Sequence, residues 1–367
     1  MRLLKKHRLT QINCFTSMVS KNVISINAGQ NGRSVLVIYT GGTLGMRYDS
    51  KSDTLIPFDF EEIMSFVPEL ARVGCQLTIL SFETLLDSAD MKPNAWITIA
   101  EIIEEHYDEY DGFVVLHGTD TMAYTASAVS FLLENLSKPV IFTGAQLPIG
   151  SVRNDARENL ITAIQIAADY EGDSPQVKEV AIFFQNVLLR ANRSKKVESI
   201  HFDAFESDNY PLLAEAGIDL EYNYNALSQA EGLPLKVYKK LSTEVMLLKL
   251  FPGISEKMVK HMLRHESTQA IIMETFGSGN AMTDQWFLEA IKEAVAAGKV
   301  IVNISQCTGG RVIPGRYTTY NQLHKTGIVS GADMTTEAAV TKMMFLLANK
   351  KDNVKALSGV PLRGEMS

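Results

Sequence analysis

Short apolar runs, rich in β-branched residues, recur along the first half of the chain, and longer amphipathic stretches separate them. The runs 34–39 (SVLVIY), 77–82 (LTILSF), 112–116 (GFVVL), 139–143 (PVIFT) and 180–184 (VAIFF) are nearly continuous in apolar residues. Such runs predict strands buried on both faces. The stretches 94–105, 123–134 and 155–169 carry helical patterning. Strand and helix in alternation predict a mainly parallel sheet flanked by helices.

From 222 to 241 the sequence turns polar and aperiodic and predicts a linker. Strand-like runs resume at 245–250, 269–274 and 300–305, with helical stretches at 255–264, 284–297 and 335–348. The expectation is therefore an α/β protein of two domains. An extension covers 1–33, a larger N-terminal domain 34–222, a linker 223–244, and a smaller C-terminal α/β domain 245–367. The length of 367 residues fits this division, because a single hydrophobic core seldom grows so large.

Composition narrows the function. A hydrophobic share of 46% with 21% charged residues is ordinary for a globular chain. The formal net charge of -7 argues against a nucleic-acid partner, which would need a basic face. The three cysteines, Cys14, Cys75 and Cys307, are sparse and form no C-x-x-C pair, which predicts reduced thiols rather than disulfides or a zinc site. No apolar run approaches the ~18 residues of a membrane span. Residues 1–8 (MRLLKKHR) are basic, but 9–27 lack the continuous apolar core of a secretion signal, so the extension is read as non-secretory.

Candidate chemistry clusters where strands end, which is where open parallel sheets bind ligands. Thr40-Gly41-Gly42-Thr43 follows the first strand. Its glycines allow a tight turn and leave backbone N–H groups free for an anion. Neither nucleotide-binding glycine pattern follows this strand, so phosphate binding is not expected. His117-Gly118-Thr119-Asp120-Thr121 closes another strand, Asp87-Ser88-Ala89-Asp90-Met91 a third, and Phe276-Gly277-Ser278-Gly279-Asn280 a strand of the second domain. Arg193-Ser194-Lys195-Lys196 taken alone reads as a solvated basic loop, and His117 as a packed structural residue. A lysine in a cleft, however, can serve as a proton acceptor. Each signal is weak alone, and their convergence is what counts.

TGGT followed by HGTDT resembles the paired signatures of bacterial-type asparaginases, and the resemblance runs on through LHGTDTMAYTASAVSFLLENLSKPVIFTGAQ, NRSKK and GADMTTEAAVTK. It is closest to the cytoplasmic type I branch. The resemblance implies hydrolysis of L-asparagine to L-aspartate and ammonia through an acyl-enzyme, with no cofactor and no metal. It implies Thr43 as nucleophile, a Thr119–Asp120–Lys196 cluster with Lys196 taking a proton through Thr119, Asp120 holding the α-ammonium and Ser88 the α-carboxylate. Asn280 is implied to reach the site of a partner subunit. A homo-oligomer, dimer or tetramer, in the cytoplasm is expected, with a small-molecule substrate and neither membrane nor nucleic acid as partner.

This chain departs from the family pattern in three places. Leu55 stands where many members carry a tyrosine that assists the nucleophile, which leaves Tyr48 or Tyr317 for that role, and Tyr317 is the candidate. Ala89 replaces a polar neighbour of the substrate serine. Lys195 occupies a position that is a small hydroxyl residue in some members activated by asparagine, near segments holding Cys307 and Asn280, so weak or absent activation is expected. Rival readings are glutamine hydrolysis, an amidotransferase subunit (which would carry a longer N-terminal domain), and a non-catalytic amino-acid sensor (which would have a broken site). A lipid hydrolase would need a G-x-S-x-G elbow, which the sequence lacks.

Overall fold

The computed structural model describes residues 19–27, 32–49, 54–57, 63–229, 232–313, 315 and 318–367. Nine strands build the larger sheet: β1 (Val19–Asn27), β2 (Ser34–Gly41), β3 (Gln76–Leu86), β4 (Gly112–Leu116), β5 (Val140–Thr143), β6 (Val180–Phe184), β7 (Val187–Arg190), β8 (Ala214–Ala216) and β9 (Leu220–Tyr222). Their spatial order is β1-β3-β2-β4-β5-β6-β7-β8-β9. The five central strands, β3-β2-β4-β5-β6, are parallel, and the flanking pairs are antiparallel. In this doubly wound order the chain reverses direction across the sheet between β2 and β4, the place where such sheets open a ligand crevice.

The central strands β2, β4, β5 and β6 are almost wholly apolar because both faces are covered, and alternate residues serve opposite sides. Val35, Val37 and Tyr39 of β2 join Val114, Leu116, Ile141 and Phe183 in one core. Leu36 and Ile38 join Phe113, Val115, Phe142 and Ile182 in the other. Helices α1 (Pro93–Glu105) and α2 (Met122–Leu132) pack on the second face, and α3 (Ala156–Ala167) on the first. Burying each such Val, Leu or Phe contributes about 1.5–3 kcal/mol.

The second domain holds four parallel strands in sequential order, β10 (Val245–Lys249), β11 (Ala270–Thr275), β12 (Val300–Ser305) and β13 (Val329–Ser330). Helices α4 (Glu256–Arg264) and α5 (Gln285–Ala296) cover one face. Helix α6 (Thr336–Asn349) lies on the other face against Ala270, Ile272 and Val302. Thr335 caps it, its Oγ accepting from the Ala338 N–H at 3.1 Å. The opposite side of α6 meets α2, with Phe345 stacked on Phe131 at 6.1 Å between ring centres. One core therefore runs through both domains.

Two regions differ from the sequence expectation. Val19–Asn27, within the extension, forms β1 and pairs with β3 from Val19↔Phe82 to Asn27↔Gln76. The linker is also tied down: Lys236–Val237 pairs with Leu133–Glu134, so the helix expected to reach 134 stops at Leu132. A two-residue ladder leaves no periodicity to read. The antiparallel meander β7-β8-β9 escapes notice for the same reason, its last two strands having three residues each.

Candidate active site

In-register pairing sets Tyr39 of β2 beside Leu116 of β4, and Leu116 beside Thr143 of β5. The loops after these strands leave the sheet at one level. The Thr40 hydroxyl donates to the Leu116 carbonyl at 2.8 Å, tying the first two ends together. Gly41 and Gly42 take φ of 127° and 92°, a region that side chains disfavour. A Cβ at Gly42 would lie 2.5 Å from the Gly118 nitrogen, and one at Gly118 only 2.6 Å from Ser88 Oγ. Backbone packs against backbone here, bringing the Gly42-Thr43 turn, Ser88 and the Gly118-Thr119 turn together. Thr43 opens a single 3-10 turn, Thr43–Gly45, and is half-buried.

Lys196 gathers the polar groups. Its Nζ donates to Thr119 Oγ1 and to Asp120 Oδ1, each at 2.7 Å. Thr119 is buried and donates onward to Gln146 Oε1 at 3.1 Å. Asp120 is largely open to solvent, while the Lys196 side chain is mostly covered. The Gln146 amide nitrogen donates to the His201 carbonyl at 3.0 Å, and its backbone N–H donates to the Asp155 carboxylate at 2.9 Å. Asn159 Nδ2 then donates to the Gly144 carbonyl at 3.0 Å. Helix α3 thus fixes the loop after β5 that carries Gln146.

Thr43, Ser88, Thr119, Asp120 and Lys196 therefore lie on loops that meet at one edge. Ser88 is buried, and its carbonyl accepts from Thr121 Oγ1 at 2.6 Å. Asp87 Oδ1 accepts from the Ala89 N–H at 2.9 Å and so caps the short 3-10 turn Ser88–Asp90. Thr121 makes no cap bond to α2. His117 is fully buried; its Nδ1 contacts the Gly118 carbonyl at 2.6 Å and its Nε2 the Thr125 hydroxyl at 2.9 Å. Burial drives its pKa down to about 4, so it is neutral and structural, as expected.

The solvated-loop reading of Arg193-Ser194-Lys195-Lys196 is overturned, since Arg193 is 3% and Ser194 0% exposed. Asn280 sits elsewhere, on the Phe276–Asn280 turn after β11. Tyr317 lies outside the described residues. Tyr48 is the backbone register partner of Leu55 in the hairpin Met46–Asp49/Thr54–Pro57. Gln146 and Asp155 were not singled out from sequence, although Gln146 ends a strand as the other candidates do.

An open, doubly wound sheet whose carboxyl edge gathers hydroxyls, a carboxylate and a mostly covered amine defines a two-domain α/β hydrolase. The chain belongs to the asparaginase family: residues 34–228 match the family's description "Asparaginase, N-terminal", and residues 244–357 match "Glutaminase/Asparaginase C-terminal domain". It is 42% identical over 339 residues to L-asparaginase 1 of Escherichia coli, covering 91% of this chain and 98% of that protein. It is 40% identical over 362 residues to a 60 kDa lysophospholipase of Mus musculus, covering 91% of this chain and 63% of that protein. Among solved structures, L-asparaginase I from Vibrio cholerae superposes with a TM-score of 0.83 at 40% identity, over 92% of this chain and 99% of that one.

Proposed function

We propose that the protein hydrolyses the side-chain amide of L-asparagine, giving L-aspartate and ammonia, with Thr43 as nucleophile. The observation that carries this reading is Lys196 Nζ placed 2.7 Å from both Thr119 and Asp120, beside the Gly42-Thr43 turn. The Thr43 hydroxyl attacks the amide carbon. Its proton passes toward the Thr119–Lys196 pair and on to the leaving nitrogen, which departs as ammonia. Water then attacks the resulting ester and frees aspartate and Thr43. Splitting one difficult step into two is the gain of covalent catalysis. Backbone N–H groups near Gly42 and Thr119 face the developing oxyanion, an effect of about 10²–10³ in rate per donor. Proton transfer through Lys196 adds roughly 10²–10⁴.

Asp120, exposed at the mouth, holds the α-ammonium, and Ser88 the α-carboxylate. Tyr48 or Tyr317 assists Thr43. The family description of the second domain includes glutaminase, and a methylene typically discriminates by only about 1–3 kcal/mol, so glutamine is a slower second substrate. Lys195 lines a cavity of about 20 Å³ with Cys307 and Thr336. The long charged side chain of Lys195 in that cavity supports weak or absent activation by asparagine. The protein works in the cytoplasm as a closed homo-oligomer, a dimer or tetramer, with Asn280 serving the partner's site. Among the described residues no helix is long and apolar enough to cross a membrane.

Ammonia release from L-asparagine and L-glutamine, with Thr43→Ala in parallel, tests the reading. Fast release from asparagine, lost by at least about 10³-fold in the variant, is the expected outcome. Binding of asparagine without ammonia release would move the assignment to an amino-acid sensor.

A further inference from the structure

The segment that delivers Lys196 is gripped from the second domain. Arg193, three residues upstream, is the centre of the grip. Its Nε donates to the Gly364 carbonyl at 2.7 Å, and its Nη2 to Ser367 Oγ at 3.0 Å. Its Nη1 stands 3.0 Å from Asp333 Oδ2, an ion contact without hydrogen-bond alignment. Asn192 Nδ2 donates to the Arg363 carbonyl at 2.9 Å. Asp333 is itself braced by the Ser367 N–H at 2.8 Å. The strip 362–367 is pinned in turn by Glu365, which accepts from the Leu362 and Arg363 N–H groups at 3.0 and 2.7 Å. Glu365 also pairs with Lys342 of α6 at 2.6 Å, both side chains 0% exposed.

Downstream, Lys195–Lys196 pairs with Phe205–Glu206 inside the first domain. Upstream, the segment is held from both domains: Ser127 Oγ donates to the Ala191 carbonyl at 3.3 Å and Arg193 lies over the Tyr210 ring in the first domain, while the polar head of Arg193 and Asn192 bond the second domain's strip.

We propose that Asp333, Arg193 and the strip 362–367 form a clamp by which the second domain positions Lys196 against Thr119 and Asp120. None of the clamp residues touches substrate; they are positioning residues. The inference rests on the proton-transfer role proposed for Lys196. A buried fork such as Arg193 fixes direction as well as distance, and a misplacement of ~1 Å in a catalytic group can cost about a hundredfold in rate.

The test measures kcat and KM for asparagine in Asp333→Asn, made alone and together with Lys196→Met. The expected result is a fall in kcat of about ten- to a hundredfold, KM within about threefold, and no further fall in the Lys196→Met background. Circular dichroism at the assay temperature checks that the variants are folded. Should Asp333→Asn fail to fold, Arg193→Lys keeps the charge but loses the fork and is expected to behave the same way. A folded variant with wild-type kcat overturns the clamp, as does an equal proportional loss in both backgrounds, which would show action apart from the lysine. Full kcat in Lys196→Met alone removes the lysine's role, and the clamp with it.

Discussion

His117 shows how a single side chain in a catalytic-looking motif can serve the fold instead. Its Nδ1 contact at 2.6 Å is to a carbonyl, which only accepts, so Nδ1 carries the proton. Nε2 therefore accepts from the Thr125 hydroxyl at 2.9 Å. Both ring nitrogens are satisfied in the neutral form, and desolvation lowers the pKa from 6.5 to about 4. The unfolded chain then binds the proton more tightly than the folded one. The stabilisation is fully present above pH 6.5 and is lost as pH falls toward 4, by about 3 kcal/mol at most. Urea melts of wild type and His117→Gln between pH 7 and 4.5 test this. The wild type is expected to lose stability more steeply than the variant. Parallel curves would show that His117 does not titrate on unfolding.

At the scale of elements, the site depends on strand ends meeting with no side chain between them. Gly42 combines a φ of 92° with backbone 2.5 Å from where a Cβ would stand. Gly42→Ala is therefore expected to cost about 1–3 kcal/mol from strain alone and to lower kcat by at least about tenfold by shifting Thr43. Thermal melts together with kinetics read both effects, and an alanine variant with wild-type melting and rate would mean that the turn is tolerant. The core strands were legible because residues buried on both faces write themselves as unbroken apolar runs. Gly112–Leu116 and Val180–Phe184 match the expected bounds residue for residue. The glycine-ended loops were legible as candidates. What joins them was not: Gln146 reaches Thr119 across 27 positions and Lys196 across 77, separations that no local pattern records. Arg193 looked solvated because its partners, Asp333, Gly364 and Ser367, lie far along the chain.

At the scale of the whole molecule, division of the sequence into two domains is correct about the elements but silent about the junction. Helix α6 is buried between the second sheet and α2, and the strip 362–367 returns to the first domain. The Phe276–Asn280 turn, by contrast, is braced within the second domain. Ser305 Oγ donates to the Gly277 carbonyl at 2.7 Å, and the Ile313 N–H to the Ser278 carbonyl at 3.1 Å. Asn280 closes this turn of the second domain, and the role proposed for it is at the site of a partner subunit. In a closed two-fold dimer each site would take Thr43 from one chain and Asn280 from the other. Thr43→Ala and Asn280→Ala should each be nearly inactive alone. Unfolded together and refolded as an equal mixture, they should regain about one quarter of wild-type activity, because half the dimers are mixed and each mixed dimer has one intact site. Native mass spectrometry confirms that the mixed species forms. Mixed dimers without recovered activity would place Asn280 in its own chain's site or in none, whereas recovery would make the dimer the smallest active unit.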